Sequence, residues 1–375
     1  MKKTLPSLEK AIDYMTSNPK RWDPEHGLVK RSFTIDTWDF TYEEDLWNRR
    51  IYDKTPMSIM HGDNSGVYQA MMQLAWLNDR FGNTAKAASW RKRAEALRVN
   101  MFKHLWNGTY FIHQLHLGHK GSDEKESVRL SLSNTYDINR GVCTLEQAQS
   151  VIDEYQTRRK TTDAFAEWFS IDPPYTNFCN WGEYINGAIS PFTAGELAKA
   201  AFNNGREKYA WDILTRFQQV VKREGEVYFL YNRKDGKANM TGGGPSAWGA
   251  AAVLSAIDEG LAGMKDLGCK YEEIFFAPRW PVTDYTELRY VTGYEVSHVW
   301  VDVRYVLKQN GLRYVVYSPA KKINAHILLP DNKTCTRLRV NRQDAKFTPV
   351  KVGESSYVDF ETAPVNGKTD IEVLF

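Results

Sequence analysis

The sequence has only four cysteines in 375 residues, and Cys143, Cys179, Cys269 and Cys335 lie far apart. They form neither a CxxC pair nor a dense framework, so we expect reduced thiols. No run of about 18 apolar residues is present, so a membrane-spanning helix is not expected. The opening MKKTLPSLEKAIDYM lacks an apolar stretch after its lysines, so a secretion signal is not expected either. A cytoplasmic location follows if Met1 is the natural start.

Blocks of charge of one sign are also missing. Lys and Arg total 49 and Asp and Glu total 46, for a net charge of +3. Neither nucleic acid nor a membrane surface is therefore an expected partner. Aromatic residues, in contrast, make up 13% of the chain, with 12 Trp and 20 Tyr. They indicate either a large core with Trp and Tyr at its edges, or a cleft lined with flat rings that would suit sugars.

Hydrophobic periodicity divides the chain into two parts. Apolar residues recur at helical spacing in segments 63–81, 85–106 and 206–222. Segment 246–257 is apolar on almost every face, which predicts a helix buried all round. From about residue 285 the period changes to two, which predicts a run of short strands. We therefore expect a mainly α domain at 1–282, with two concentric layers of helices, and a small antiparallel β-sandwich at 283–375.

Two early segments concentrate carboxylates. Asp36, Trp38 and Asp39 lie in GLVKRSFTIDTWDF, where the indole could stack on a sugar ring and the carboxylates could accept bonds from its hydroxyls. The structural alternative is a turn anchored by a tryptophan. Asp63 lies in HGDNSGVYQA, just before a predicted helix, so it is a candidate N-cap as well as a candidate acid. A helix N-terminus favours the charged carboxylate, which is a cost to the acid role.

Other candidate site residues lie in loops that lead into helices. Asp137 and Arg140 are close together in SLSNTYDINRG, and NFCNWGEYINGAISPF is a polar and aromatic loop with one acid, Glu183. Glu183 could serve the site or could act as a capping carboxylate. The further substrate-binding candidates are Asn64, Tyr68, Trp181, Asn186, Glu226 and Trp248.

The histidines at spacing three, His113, His116 and His119, could suggest a metal site. Gly118 and the apolar neighbours favour a strand or loop instead, and a metal would need a fourth ligand. We therefore expect neither a metal nor a cofactor.

Four passages, taken in order, resemble the six-hairpin (α/α)6-barrel glycoside hydrolases. HGDNSG resembles the acid-Asp loop of processing α-glucosidases, trehalases and debranching-type enzymes. WGEYINGAISPF and the passage after it resemble their inner and outer helix pair. YNRKDG followed by GPSAWGAAAVLSAIDEGLAG resembles their late hairpin, and the β-rich end resembles the sandwich of α-L-rhamnosidase-like enzymes.

The resemblance implies hydrolysis of a glycosidic bond by two carboxylates, normally with inversion, across an aromatic-lined cleft. The carboxyl groups of inverting enzymes lie about 6.5–9.5 Å apart. Asp63 takes the position of the general acid. The late hairpin of this chain lacks the expected glutamate, so Glu183, then Asp36, then Glu226 are candidates for the general base.

The number of predicted helices, eight or nine, is below the twelve of a full six-hairpin barrel. The chain is thus expected to be a shortened barrel, or else the C-terminal part of a longer protein or of a two-gene product. Its expected partners are an oligosaccharide or glycoside, and either a second copy or another chain that completes the ring. Two other interpretations stay open. One is a non-catalytic carbohydrate-binding or scaffold subunit. The other is a different enzyme on the same helical scaffold, either a sugar epimerase with histidine bases or a polysaccharide lyase that uses Tyr or His with Arg.

Overall fold

The computed structural model describes residues 2–33, 55–118, 125–176, 184–240 and 243–375. The chain divides into two compact units. Unit 1 comprises Met1–Thr193 and Val220–Gly249, and unit 2 comprises Ala194–Gln219 and Ala250–Phe375. The domain boundary expected between residues 282 and 283 stays a prediction.

The helices predicted at 63–81, 85–106, 206–222 and 246–257 are confirmed, with small shifts at their ends. Within the described ranges there are eight α-helices: α1 Leu5–Met15, α2 His61–Arg80, α3 Thr84–Leu105, α4 Ser133–Asn139, α5 Leu145–Thr161, α6 Pro191–Asn203, α7 Glu207–Glu224 and α8 Ala247–Ser255. A π-helix, Ala256–Leu261, continues α8. None of these helices combines the length and the hydropathy needed to cross a membrane.

Helices α2 and α3 form the core of the first part of unit 1. The apolar positions of α3 that face inward recur every three or four residues, at Ala87, Trp90, Ala94, Leu97, Met101 and Leu105. They pack with Val67, Met71 and Leu74 of α2 in one buried cluster. Burying each large apolar side chain stabilises the fold by about 1.5–3 kcal/mol. This packing makes α2 a firm support for the residues of its first turn.

Unit 1 also contains nine short strands: β1 Trp22–Asp23, β2 Leu28–Val29, β3 Arg31–Ser32, β4 Met57–Met60, β5 Gln114–Leu117, β6 Leu130–Ser131, β7 Ile171–Asp172, β8 Leu230–Tyr231 and β9 Ala238–Asn239. The largest sheet among them is antiparallel, with the order β3-β4-β5. Strand β4 ends at Met60 and α2 begins at His61, without an intervening loop. The sheet therefore fixes where the first turn of α2 lies.

The prediction that segment 246–257 is buried all round is wrong for part of α8. Trp248 is 46% exposed and Leu254 is 63% exposed. Buried residues are usually apolar, but an apolar residue need not be buried, because much of any protein surface is made of apolar atoms. The apolar sequence of α8 therefore predicted a helix correctly, but it predicted the burial of that helix only in part.

Unit 2 contains eleven strands: β10 Met264–Asp266, β11 Glu273–Phe276, β12 Glu287–Tyr294, β13 Val299–Lys308, β14 Gly311–Tyr317, β15 Lys322–Leu328, β16 Arg337–Val340, β17 Gln343–Ala345, β18 Thr348–Val352, β19 Ser355–Thr362 and β20 Lys368–Leu374. They form a five-stranded sheet, β10-β11-β15-β19-β18, and a six-stranded sheet, β12-β13-β14-β20-β16-β17. Phe276 of the first sheet meets Tyr314 of the second edge to face, with ring centroids 5.3 Å apart.

The expected antiparallel pairing is found for every pair of strands in these two sheets except one. Strands β11 and β15 are parallel, with Glu273 opposite Lys322. A parallel pair needs a long crossover connection. Strands β12 to β14 of the other sheet supply that connection, so the change of sheet between β11 and β15 explains the parallel pairing.

Within unit 2, α6 and α8 cross at a glycine. A Cβ atom added at Gly195 would lie 2.4 Å from the carbonyl carbon of Ala252. Because that neighbour is backbone rather than a flexible side chain, the two helices would have to move apart to admit a methyl group.

We predict that Gly195→Ala lowers the free energy of unfolding by about 1–3 kcal/mol, the usual cost of overpacking. The matched control is Gly66→Ala in α2, where the nearest atom to the added Cβ would be 3.7 Å away. That change should raise stability by roughly 0.5–1 kcal/mol, because alanine is the better helix former. Urea unfolding of both variants measures the difference, and equal effects would contradict the close crossing.

Candidate active site

Asp63 lies in the first turn of α2. The residue that caps the helix is Met60, whose backbone is extended, so the expectation that Asp63 is the N-cap is wrong. The helix begins two residues earlier than the apolar pattern indicated, because it continues directly from β4. A carboxylate in the first turn is favoured by the helix dipole. The Asp63 side chain is 34% exposed, so it can meet a ligand.

An arginine on the neighbouring sheet holds the Asp63 carboxylate. Nη1 of Arg31 lies 3.5 Å from Oδ1 of Asp63. Arg31 pairs with Ser58 in the sheet, and Ser58 pairs in turn with His116. Residues directly opposite one another in an antiparallel sheet point to the same face. The side chains of Arg31 and His116 therefore lie on one face of β3-β4-β5, and the aromatic ring of Phe33 stacks on His116 there.

Helix α4 supports the first turn of α2 from within the protein. His61 donates from Nδ1 to Oδ2 of Asp137 at 2.5 Å, and its Nε2 accepts from the Ser131 hydroxyl at 2.8 Å. All three residues are buried. The order serine, histidine, aspartate is that of a hydrolytic triad. Burial keeps substrate away from it, so we interpret it as a support for α2.

Arg140 adds a second link between α4 and the first turn of α2. Its Nη1 donates to the Gly62 carbonyl at 2.9 Å and to the Ser65 hydroxyl at 2.8 Å. Asp137 and Arg140 thus both hold the turn that carries Asp63. Their predicted contact with substrate stays a prediction.

The two predicted asparagines are buried and bind backbone. Asn64 accepts from the Val29 amide and donates to the carbonyls of Val29 and Met60. Asn186 accepts from the Tyr175 amide at 2.7 Å and donates to its carbonyl at 2.9 Å. Tyr68 is half-buried against the α2–α3 core, and burial raises its pKa. The two asparagines therefore hold backbone in place, and the predicted contact of all three side chains with substrate stays a prediction.

Aromatic side chains gather around Trp248. Its ring stacks on Phe192 with centroids 4.2 Å apart and planes 4° apart, and its Nε1 donates to the Tyr136 hydroxyl at 3.1 Å. Phe229 lies 5.9 Å from the Trp248 ring, and Tyr184 lies 6.4 Å from Phe229. We call these five residues the aromatic cluster. Tyr136 was visible in the SLSNTYDINRG segment, but nothing in the sequence linked it to Trp248.

A second polar centre was missed by the sequence analysis. The Glu126 carboxylate accepts from Nδ1 of His113 and Nε2 of His116, both at 3.0 Å, and from the Tyr175 hydroxyl at 2.8 Å. Arg129, itself buried, lies 3.4 Å away. We call this group the Glu126 centre. The spacing of the histidines was a signal, but it pointed to a metal rather than to a carboxylate.

Electrostatics explains why the Glu126 centre is stable. Burial by itself would raise the pKa of Glu126, but the hydrogen bonds from His113 and His116 and the charge of Arg129 hold it well below its usual range. Both carboxylate oxygens are already occupied by these donors. A general base needs a free lone pair for water, so Glu126 is better suited to holding its neighbours in place than to activating a water molecule.

Several predicted residues lie outside the described residues. They are Asp36, Trp38, Asp39, Trp181, Glu183 and His119. Glu226 is described and is exposed, two residues before Tyr228. In the part of the chain that is described, no group of three or more His, Cys, Asp or Glu side chains is placed to hold a metal ion. Cys143, Cys269 and Cys335 are free thiols.

Comparison with known proteins gives a match in structure and none in sequence. Neither a protein-family model nor a curated protein sequence matches the chain. An α-L-rhamnosidase from Dictyoglumus thermophilum superposes with a TM-score of 0.57 at 11% identity, over 100% of this chain and 37% of that one. A GH78 family rhamnosidase from Bacillus sp. GL1 gives 0.52 at 18% identity, over 84% and 28%. A native α-L-rhamnosidase from Aspergillus terreus gives 0.52 at 12%, over 99% and 36%.

These likenesses define the fold. The predicted resemblance to the six-hairpin (α/α)6-barrel glycosidases is confirmed at that level. The chain spans only 28% to 37% of the length of the three rhamnosidases. The activity of this chain must therefore be inferred from the side chains of its own candidate site.

We predict that Glu126→Gln lowers the free energy of unfolding at pH 7 by about 3 kcal/mol, because it removes the carboxylate charge that His113, His116, Tyr175 and Arg129 surround in a buried site. The pKa of Glu126 is lower in the folded than in the unfolded chain, so its contribution is complete above about pH 4.3 and is lost as the pH falls below that. The free energy of unfolding of the variant should therefore fall less steeply than that of the unmodified chain as the pH is lowered below about 4.3.

The matched control for Glu126 is Glu95→Gln. Glu95 pairs with Arg98 on the surface of α3, and its side chain is 55% exposed. Its replacement should cost less than about 1 kcal/mol. Urea unfolding between pH 3 and pH 8 compares the two variants. A Glu126 variant as stable as the Glu95 variant at pH 7 would contradict the role of the Glu126 centre.

Proposed function

We propose that this chain forms part of a glycoside hydrolase that cleaves a glycosidic bond with two carboxylates, one of which is Asp63. The observation that carries the proposal is the setting of Asp63. It is a partly exposed carboxylate on the first turn of a long helix, and Arg31 holds it from the sheet side. Catalytic side chains need such rigid supports. The fold shared with three rhamnosidases adds to this argument.

The role proposed for Asp63 is that of general acid, with inversion of configuration. Arg31 and the N-terminus of α2 both favour negative charge at this position. In an inverting enzyme the acid gives its proton to the leaving oxygen, while a second carboxylate activates the attacking water. Glu183 is our first candidate for the second carboxylate, and Asp36 is the next. Inverting enzymes in general keep their two carboxyl groups about 6.5–9.5 Å apart.

A second candidate function is a carbohydrate-binding or scaffold subunit without activity. The segment Tyr228–Tyr231 carries no acid, and Glu226 before it is exposed rather than held towards a site. An epimerase or lyase with a histidine base is less well supported. His61 and His113 are buried, and both are already bonded to carboxylates.

The test is product release from a panel of aryl glycosides that starts with p-nitrophenyl α-L-rhamnoside, the type of sugar on which the three structural neighbours are named as acting. We expect Asp63→Asn to lower kcat at least 100-fold, the usual contribution of a general acid. The matched control is Asp79→Asn. Asp79 lies on the last turn of the same helix, 38% exposed, and also pairs with an arginine, Arg91.

The control should keep normal turnover, and circular dichroism should show that both variants are folded. NMR of the first product formed reports inversion or retention at the anomeric carbon. Turnover that survives Asp63→Asn would exclude Asp63 as the acid and move the experiment to Glu183→Gln. Sugar binding without turnover of any substrate would favour the scaffold subunit.

A further inference from the structure

Trp248 is an exposed aromatic ring that is nevertheless held in one orientation. It is 46% exposed. One face of its indole lies flat against buried Phe192, at 4.2 Å. Its N–H group is engaged by the Tyr136 hydroxyl at 3.1 Å. The stacking and the hydrogen bond together oppose rotation of the ring, so little conformational entropy remains to be lost when a ligand binds.

The chemistry of such a ring favours a sugar. The C–H bonds on one face of a pyranose carry slight positive charge and are apolar, and they complement the negative face of an indole. Pockets for small ligands combine aromatic walls with a few fixed polar groups. Here the wall is the aromatic cluster, and the polar groups nearby are the Tyr136 hydroxyl and the Arg140 guanidinium.

The aromatic cluster is linked to Asp63 through two side chains. Arg140 donates to the carbonyl of Gly62, the residue before Asp63, at 2.9 Å. The Arg140 guanidinium carbon lies 5.1 Å from the centre of the Tyr136 ring. Tyr136 in turn accepts the bond from Trp248. These contacts join Trp248 to the turn that carries Asp63, with the side chains of Tyr136 and Arg140 between the indole and that turn.

We propose that Trp248 is the stacking platform for a second sugar ring of an oligosaccharide whose cleaved bond lies at Asp63. This inference rests on the proposed function and adds its substrate class, a saccharide of at least two residues. The platform binds the apolar face of the ring. It distinguishes an oligosaccharide from a simple methyl glycoside, because the methyl glycoside has no second ring to stack.

The first experiment measures binding to an array of mono-, di- and trisaccharides, with the intact chain carrying Asp63→Asn so that hydrolysis does not interfere. We expect at least one oligosaccharide to bind more tightly than its own terminal monosaccharide. Titration calorimetry with that oligosaccharide and with the methyl glycoside of its terminal sugar then gives both dissociation constants. Adding Trp248→Ala should raise the dissociation constant of the oligosaccharide at least tenfold and leave that of the methyl glycoside unchanged.

Two further variants separate the ring from its support. Trp76→Ala is the matched control, because Trp76 on α2 is also an exposed tryptophan, at 48%, and lies outside the aromatic cluster. It should leave both dissociation constants unchanged. Tyr136→Phe keeps the phenyl ring and removes only the hydroxyl that fixes Trp248. Tyr136→Phe should raise the dissociation constant of the oligosaccharide severalfold, which is a smaller effect than that expected of Trp248→Ala.

The outcomes are distinguishable from failure of the proposed function. A folded Trp248→Ala variant that binds the oligosaccharide normally overturns the platform, even if Asp63 proves to be catalytic. A chain that shows no preference for any oligosaccharide on the array also overturns it. A change in oligomeric state without a change in sugar binding would instead make Trp248 a subunit contact. Trp248-dependent binding without any turnover would support the platform and contradict the hydrolase.

Discussion

The buried hydrogen bond between His61 and Asp137 is the interaction on which the candidate site depends. It ties the first turn of α2 to α4, and the Ser131 hydroxyl completes it on the other side of the imidazole. Arg140 repeats the link one residue further along. Because α2 is also fixed by the core that it shares with α3, Asp63 has little freedom to move. The sheet then needs to supply only Arg31 to orient the carboxylate.

Local patterns predicted what depends on local interactions. The helices of the first part are visible because one face of each is buried at regular spacing, and the strands at the end are visible because their burial alternates. The HGDNSG motif identified Asp63 as a candidate site residue. The helix is capped by Met60, however, which lies three residues before the expected cap, Asp63. The pattern of apolar residues could not show that β4 runs straight into α2 and that Met60 provides the extended residue before it.

Interactions between distant residues could not be predicted in the same way. The Glu126 centre joins Glu126 to His113, thirteen residues away, and to Tyr175, forty-nine residues away. The link between Tyr136 and Trp248 spans 112 residues. The parallel pairing of β11 with β15 depends on a change of sheet between them. In each case the sequence contains the residues, but only the folded chain brings them together.

The position of β20 has a consequence for how unit 2 is made. The last strand of the chain, Lys368–Leu374, lies in the interior of the six-stranded sheet, between β14 and β16. Strands β12 to β14 can pair as they emerge from the ribosome, but β16 and β17 cannot join them until β20 is available. The sheet must therefore close after synthesis of its final segment. Until then, the edge of β14 presents unpaired amide and carbonyl groups, which are the kind of edge that pairs with other chains.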